Sequence, residues 1–196
     1  MIWRPGSLPL EGGWCDDGPP LHVEFARKSN DGRITLVLTE DTPAICVLWC
    51  RLAARSVTEA KVALAERECI TAKNIDRDIG FWTATVSSHH SGADAVGGWA
   101  SSAGHAAVVW TALPPKFPDI VGKPSCQQVV RYLSSLKGTP RSAAEEYVRR
   151  APSQIRTPYR DSIERELGWT PLNTLHYPFE SSAIGAIPMQ TPAITR

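Results

Sequence analysis

The hydrophobic period of the chain shifts along its length, and the order of those shifts limits the folds open to it. Residues 21–52 repeat with period two, and residues 57–67 with a helical period. Short strand-like runs return near 78–86 and 105–113, and the remainder up to about 168 is helical. In "LHVEFA", Leu21, Val23 and Phe25 share one face and His22 and Glu24 the other, the alternation of a half-buried strand. Asn30-Asp31-Gly32 then marks a turn, and "ITLVLT" a second strand. "AICVLWCRL" is almost wholly apolar and reads as a third, central strand. Strands, a helix, strands and three helices in that order predict an α+β fold with a mostly antiparallel sheet or small barrel.

Local signals bound the helices. Ser56 and Glu59 form a capping-box pair ahead of a helix over about 57–67. A short helix is expected near 94–102. Ser125 with Gln128 caps a helix to about Leu136, and Ser142 with Glu145 caps another to about Arg150. Thr157-Pro158 opens a third, because proline suits a first helical turn, and Leu167-Gly168 ends it. "HAAVVWTAL" reads as a buried strand with Trp110 filling the core. Residues 1–20 are Gly/Pro punctuation. Residues 1–172 are read as one domain, with a barrel part over 1–115 and a helical part over 116–172. Residues 173–196 carry no periodic apolar face and read as a dispensable disordered tail.

Composition excludes several roles. A formal net charge of +1 gives no bulk attraction to nucleic acid or anionic membrane. No apolar run is long enough to span a bilayer, and no charged segment leads into an apolar one at the N-terminus. Five cysteines, at 15, 46, 50, 69 and 126, make no disulfide framework and fit a reducing, cytoplasmic compartment. Cys46 and Cys50 on one extended strand would stand about 13 Å apart, too far to share a metal with His89 and His90. Ser87, His89 and Asp94 lack the sharp strand-to-helix turn of a hydrolase nucleophile. Arg149, Arg150, Arg156 and Arg160 stand among Glu145, Glu146, Glu164 and Glu166, which reads as solvated helix faces.

Three segments in order resemble one enzyme family. "IWRPG" is similar to the stretch that follows the substrate loop of gamma-glutamylcyclotransferases. "VEFARKSNDGR" resembles the second strand and turn of that superfamily. "LAEREC" resembles its Glu-x-Glu-Gly segment, whose second glutamate is the acid/base. The resemblance covers roughly residues 1–115, and the chain is also similar to a subgroup of bacterial proteins of unassigned function. It implies a small mixed barrel with flanking helices and Glu68 as the catalytic acid/base. Backbone donors near Gly6 and Ser7, or Gly12 and Gly13, would bind the substrate. It implies a small gamma-glutamyl substrate and neither metal nor organic cofactor. It leaves the oligomeric state open. The Tyr-Gly-Ser-Leu of the family's loop has no counterpart here beyond Gly6-Ser7-Leu8, and Cys69 stands where the family has glycine. Those two departures support the alternative of a binding or scaffold protein that keeps the fold without the chemistry.

Overall fold

The computed structural model describes residues 6–172. Within them seven strands form three antiparallel sheets. β1 (Leu10–Cys15) pairs with β5 (Trp49–Leu52). β2 (Pro20–Lys28) lies between β3 (Ile34–Leu38) and β4 (Ala44–Cys46). β6 (Ile79–Thr83) pairs with β7 (Ala107–Thr111). The fold is thus α+β with antiparallel pairing, but the described strands close no barrel.

The helices follow their caps. Ser56 accepts the Glu59 N–H at 3.1 Å ahead of α1 (Val57–Arg67). Glu59 reaches back one residue further than a capping box requires, accepting from the Arg55 N–H. After a 3₁₀ turn at Ala72–Asn74 come α2 (Ile75–Asp78) and, beyond β6, α3 (Ala93–Ser102). α4 (Cys126–Ser135) has both capping-box bonds, Gln128 N–H to Ser125 and Ser125 N–H to Gln128. α6 (Pro158–Leu167) begins on Thr157 and ends at Gly168, whose φ of 71° lets its N–H reach the Glu164 carbonyl. α5 (Gly138–Arg150) starts four residues before the expected Ser142 cap. Ser142 lies inside it and donates back to the Gly138 carbonyl, a mid-helix use of serine that outcompetes capping.

Four other expectations are corrected. The apolar run 44–52 is not one central strand: it breaks into β4 and β5, which belong to different sheets, and Cys46 and Cys50 fall on separate strands. β2 is the central strand instead. The Gly/Pro-rich opening contains β1, whose glycines carry no apolar pattern to announce it. Trp110 is half-buried rather than core; it lies across Gly80 on the paired strand, where an added Cβ would meet the indole at 2.3 Å. Glu24, expected to face water, is fully buried. The tail expected over 173–196, and Ile2 to Pro5 of the N-terminal motif, lie outside the described residues.

Burial concentrates on the helical side. Phe25 and Ile34 of the central sheet pack with Val129, Leu133, Val148 and Ile163 of α4, α5 and α6. A smaller cluster joins Leu21 and Val23 to Val96 of α3 and to Ile155. Both α3 and α6 contact β2, which is why the strand is buried at four successive positions, 23 to 26, instead of alternating.

Two buried charges are held within this side. The Glu24 carboxylate accepts from the Thr157 hydroxyl at 2.5 Å and from the N–H groups of Phe25 and Tyr159 at 2.8 and 3.2 Å. It therefore sits on the positive end of α6. Burial raises its pKa, against those hydrogen bonds. The Arg160 guanidinium donates to the carbonyls of Pro152, Ile155 and Ala151 at 2.6–2.9 Å, tying the α5–α6 connection together.

Candidate active site

α1 ends in a tight reversal. The Cys69 N–H donates to the Glu66 carbonyl at 3.1 Å and the Ile70 N–H to the Ala65 carbonyl at 2.8 Å, which requires a left-handed residue between them. That residue is Cys69, at φ 56°. Glycine adopts this conformation without penalty, whereas a side chain strains it. Glu68 is the C-cap, with its side chain 26% exposed, and the neighbouring Arg67 guanidinium forms an ion pair with it. Glu66, two residues earlier, is exposed.

Glu68 opens onto a cavity of about 820 Å³. Gly6 and Ser7 line the same cavity, and a Cβ placed on Gly6 would lie 3.8 Å from Arg67 Cγ. Gly6, Ser7 and Glu68 are thus brought together although about 60 residues separate them in sequence. Gly12 and Gly13 are not: they lie within β1, at its pairing irregularity, and line neither this cavity nor the one beside it.

The rest of the first cavity is rich in cations, with Asp31 and Glu66 as its further acidic lining groups. Arg27, Lys28, Arg33 and Lys116 contribute to its wall. Arg27 donates to the Pro114 carbonyl at 2.7 Å, and burial lowers its pKa. Arg33 pairs with Asp31 at 2.6 Å. Burial alone would raise Asp31, but hydrogen bonds from Arg33 and Ser29 outweigh it and hold the carboxyl below its usual range. Lys116 is exposed and joins β2 through a backbone bridge, accepting from the Lys28 N–H at 2.7 Å. Tyr147 also lines it, its hydroxyl accepting from the Leu36 N–H at 3.3 Å; burial raises its pKa, and the charge of Glu68 contributes in the same direction. A carboxylate ligand would find several positive groups here at once.

A second cavity, of about 870 Å³, lies on the other side of Glu68. Trp14, Trp49, Trp99, Trp110 and His105 line it. The His105 ring stands 4.5 Å from Trp49 and 4.7 Å from Trp99, centroid to centroid. Its Nε2 is buried without a hydrogen-bond partner among the described residues. Burial lowers the His105 pKa, helped by Arg51 and opposed by Asp17. Both tryptophan N–H groups are held by Asp17, Trp49 through the carboxylate at 2.7 Å and Trp99 through the backbone carbonyl at 2.8 Å.

No family model, curated protein or solved structure matches the chain. The site therefore has to be read from its own chemistry. Among the described residues no group of three or more His, Cys, Asp or Glu could hold a metal ion. All five cysteines are free thiols. Among the described residues no helix is long and apolar enough to cross a membrane. The basic stretch is largely neutralised within its own helices: Arg149 pairs with Glu145, Arg150 with Glu146, and Arg156 with Asp161 and Glu164.

Sequence reasoning reached Glu68, Gly6 and Ser7 but missed the cationic wall and the tryptophan cleft. Arg27 and Arg33 stand in the very stretch that carries the family resemblance, so a signal for them existed. Lys116 had none, because only the fold brings it beside β2.

Proposed function

We propose that the chain is a gamma-glutamylcyclotransferase-type enzyme that releases 5-oxoproline from a gamma-glutamyl amine or peptide, on a fold related to that superfamily's. The observation that carries this reading is one cavity holding a half-buried carboxylate, Glu68, beside the backbone of Gly6 and Ser7 and a wall of arginine and lysine. The substrate's alpha-carboxylate pairs with the cationic wall. Its alpha-amine attacks the gamma-carbonyl, forming the ring C–N bond. Glu68 takes the proton that the attacking nitrogen loses and returns it to the departing amine as the old C–N bond breaks, so one carboxylate serves both steps. N–H groups of Gly6 and Ser7 stabilise the oxyanion. The bond exchange is redox-neutral and balances without a cofactor. A small molecule in a reducing, cytoplasmic setting is the partner this reading requires.

A second reading rests on Arg67 and Cys69. An ion pair that occupies Glu68, next to a strained residue where the family has glycine, suits a protein that keeps the cavity for binding alone.

The deciding measurement is 5-oxoproline release from glutathione, gamma-glutamyl amino acids and gamma-glutamyl amines. Glu68→Gln should lower the rate by about 10²–10⁴-fold. Glu66→Gln alters an exposed lining residue of the same cavity that has no proton-transfer role in this scheme, and should change the rate far less than Glu68→Gln. Equal rates for wild type and Glu68→Gln would remove Glu68 from the mechanism, and silence on every substrate would leave the binding reading.

A further inference from the structure

The two cavities share a wall built from Val47, Leu48, Arg67, Glu68 and Thr111. Their linings differ in kind. The first is cationic around Arg27, Arg33 and Lys116. The second is aromatic and aliphatic, with Arg51 and Arg55 as additional lining groups. A group that moves a proton between the two halves of a substrate has to stand where those halves meet, and Glu68 stands at the divide.

We infer that the second cavity holds the amine half of the substrate, and that this half is an amino acid with a large apolar or aromatic side chain. The inference rests on the reading of Glu68 given above. Tryptophan faces offer stacking and apolar contact to such a side chain. Arg51 and Arg55 are exposed on the same cleft and supply the positive charge that a free alpha-carboxylate needs. Trp14 is the residue to watch. It is half-buried on β1, lines the cleft, and receives no partner for its indole nitrogen from any described residue. Trp49 and Trp99, by contrast, are held by Asp17, and Trp110 donates to the Ser91 carbonyl. Trp14 is thus the lining tryptophan whose indole nitrogen is not tied into the fold, which makes it the one to substitute with least disturbance.

The test is equilibrium binding by calorimetry to the full chain carrying Glu68→Gln, which holds substrate without turnover. Three probes are compared: gamma-glutamylphenylalanine, gamma-glutamylglycine and gamma-glutamylphenethylamide. Phenylalanine should bind at least about tenfold tighter than glycine, the scale of one well-buried apolar group. Adding Trp14→Ala should bring that ratio close to one, and Trp14→Phe should restore most of it. Adding Arg55→Ala should weaken the phenylalanine dipeptide and leave the phenethylamide, which lacks the carboxylate, unchanged. Equal affinity of the phenylalanine and glycine dipeptides overturns the proposal, and that comparison needs no cleft variant to fold. A preference that survives Trp14→Ala overturns it as well, as does failure of all three probes to bind. Release of 5-oxoproline by the wild type is read separately: a preference without turnover removes the catalytic reading and leaves the cleft assignment standing.

Discussion

The two sides of the central sheet differ in what they do with their most buried polar groups. On the helical side the two fully buried charges each have several partners, although Arg160 Nε meets Glu164 at 3.2 Å as an ion pair without hydrogen-bond geometry. Glu24 has three donors, and Arg160 has three carbonyls and Glu164. On the side of β1, β5 and α1, the His105 Nε2 is buried unanswered, and a cavity of about 870 Å³ lies between residues of the two two-stranded sheets. Saturated polar groups hold a fold rigid, whereas unsaturated ones keep capacity for a ligand. The contrast separates buried charges that belong to architecture from half-buried ones that belong to chemistry.

The sharpest way to break this contrast is at Arg160. Arg160→Met keeps the length of the side chain but strands the carbonyls of Ala151, Pro152 and Ile155, so it should cost about 3–5 kcal/mol in denaturant unfolding. Because its role is architectural, any 5-oxoproline release should persist in the fraction that stays folded. A loss within about 1 kcal/mol of zero would mean that the guanidinium is not the tie described.

A smaller effect, of opposite sign, is expected on the cleft side. Cys69→Gly removes the side chain from a left-handed position and should stabilise by about 1 kcal/mol. Urea midpoints of the two proteins compare directly, and an unchanged or lower midpoint for the glycine variant would show that the cysteine side chain compensates for its backbone.

The smallest effect concerns pH. Burial between Trp49 and Trp99 holds the folded His105 pKa below 6.5, so on acidification the unfolded chain takes up this proton before the folded one does. The stability it contributes is complete above that value and is lost as the pH falls through it. Between about pH 7.5 and about pH 5.5 the melting temperature of wild type should drop further than that of His105→Gln. Parallel curves would place the imidazole in contact with water in the folded protein.

How much of this was legible in the sequence follows the range of each interaction. Caps act over three residues, so Ser56, Ser125 and Thr157 announced their helices and Gly168 its stop. Ser142 misled because the same hydroxyl serves inside a helix as well as ahead of one. Glu24 looked solvent-facing because the partner that makes its burial tolerable, Thr157, lies 133 residues away. β1 was invisible because its glycine-rich residues gain their extended form from pairing with β5. Of the site, a family-like motif led to Glu68, and a short Gly-Ser step led to Gly6 and Ser7. The cleft beyond Glu68 is a product of tertiary assembly: its tryptophans come from β1, β5, α3 and β7.

One irregularity in the central strand has a consequence for parity. Phe25 pairs with Leu36 and Arg27 with Thr35, so Ala26 has no partner of its own. Counting by twos from Leu21 would put Arg27 on the face of Val23 and Phe25. The supernumerary alanine turns odd into even, and Arg27 instead shares the face of Glu24. A strand with Ala26 deleted would still set phenylalanine and arginine on opposite faces, because they would then be neighbours opposite Leu36 and Thr35; a strand that kept Ala26 but paired it regularly would turn the arginine to the phenylalanine face. For any attempt to transplant or compare this strand, the quantity to preserve is the pairing of Arg27 with Thr35, and the residue count matters only together with the bulge that sets it.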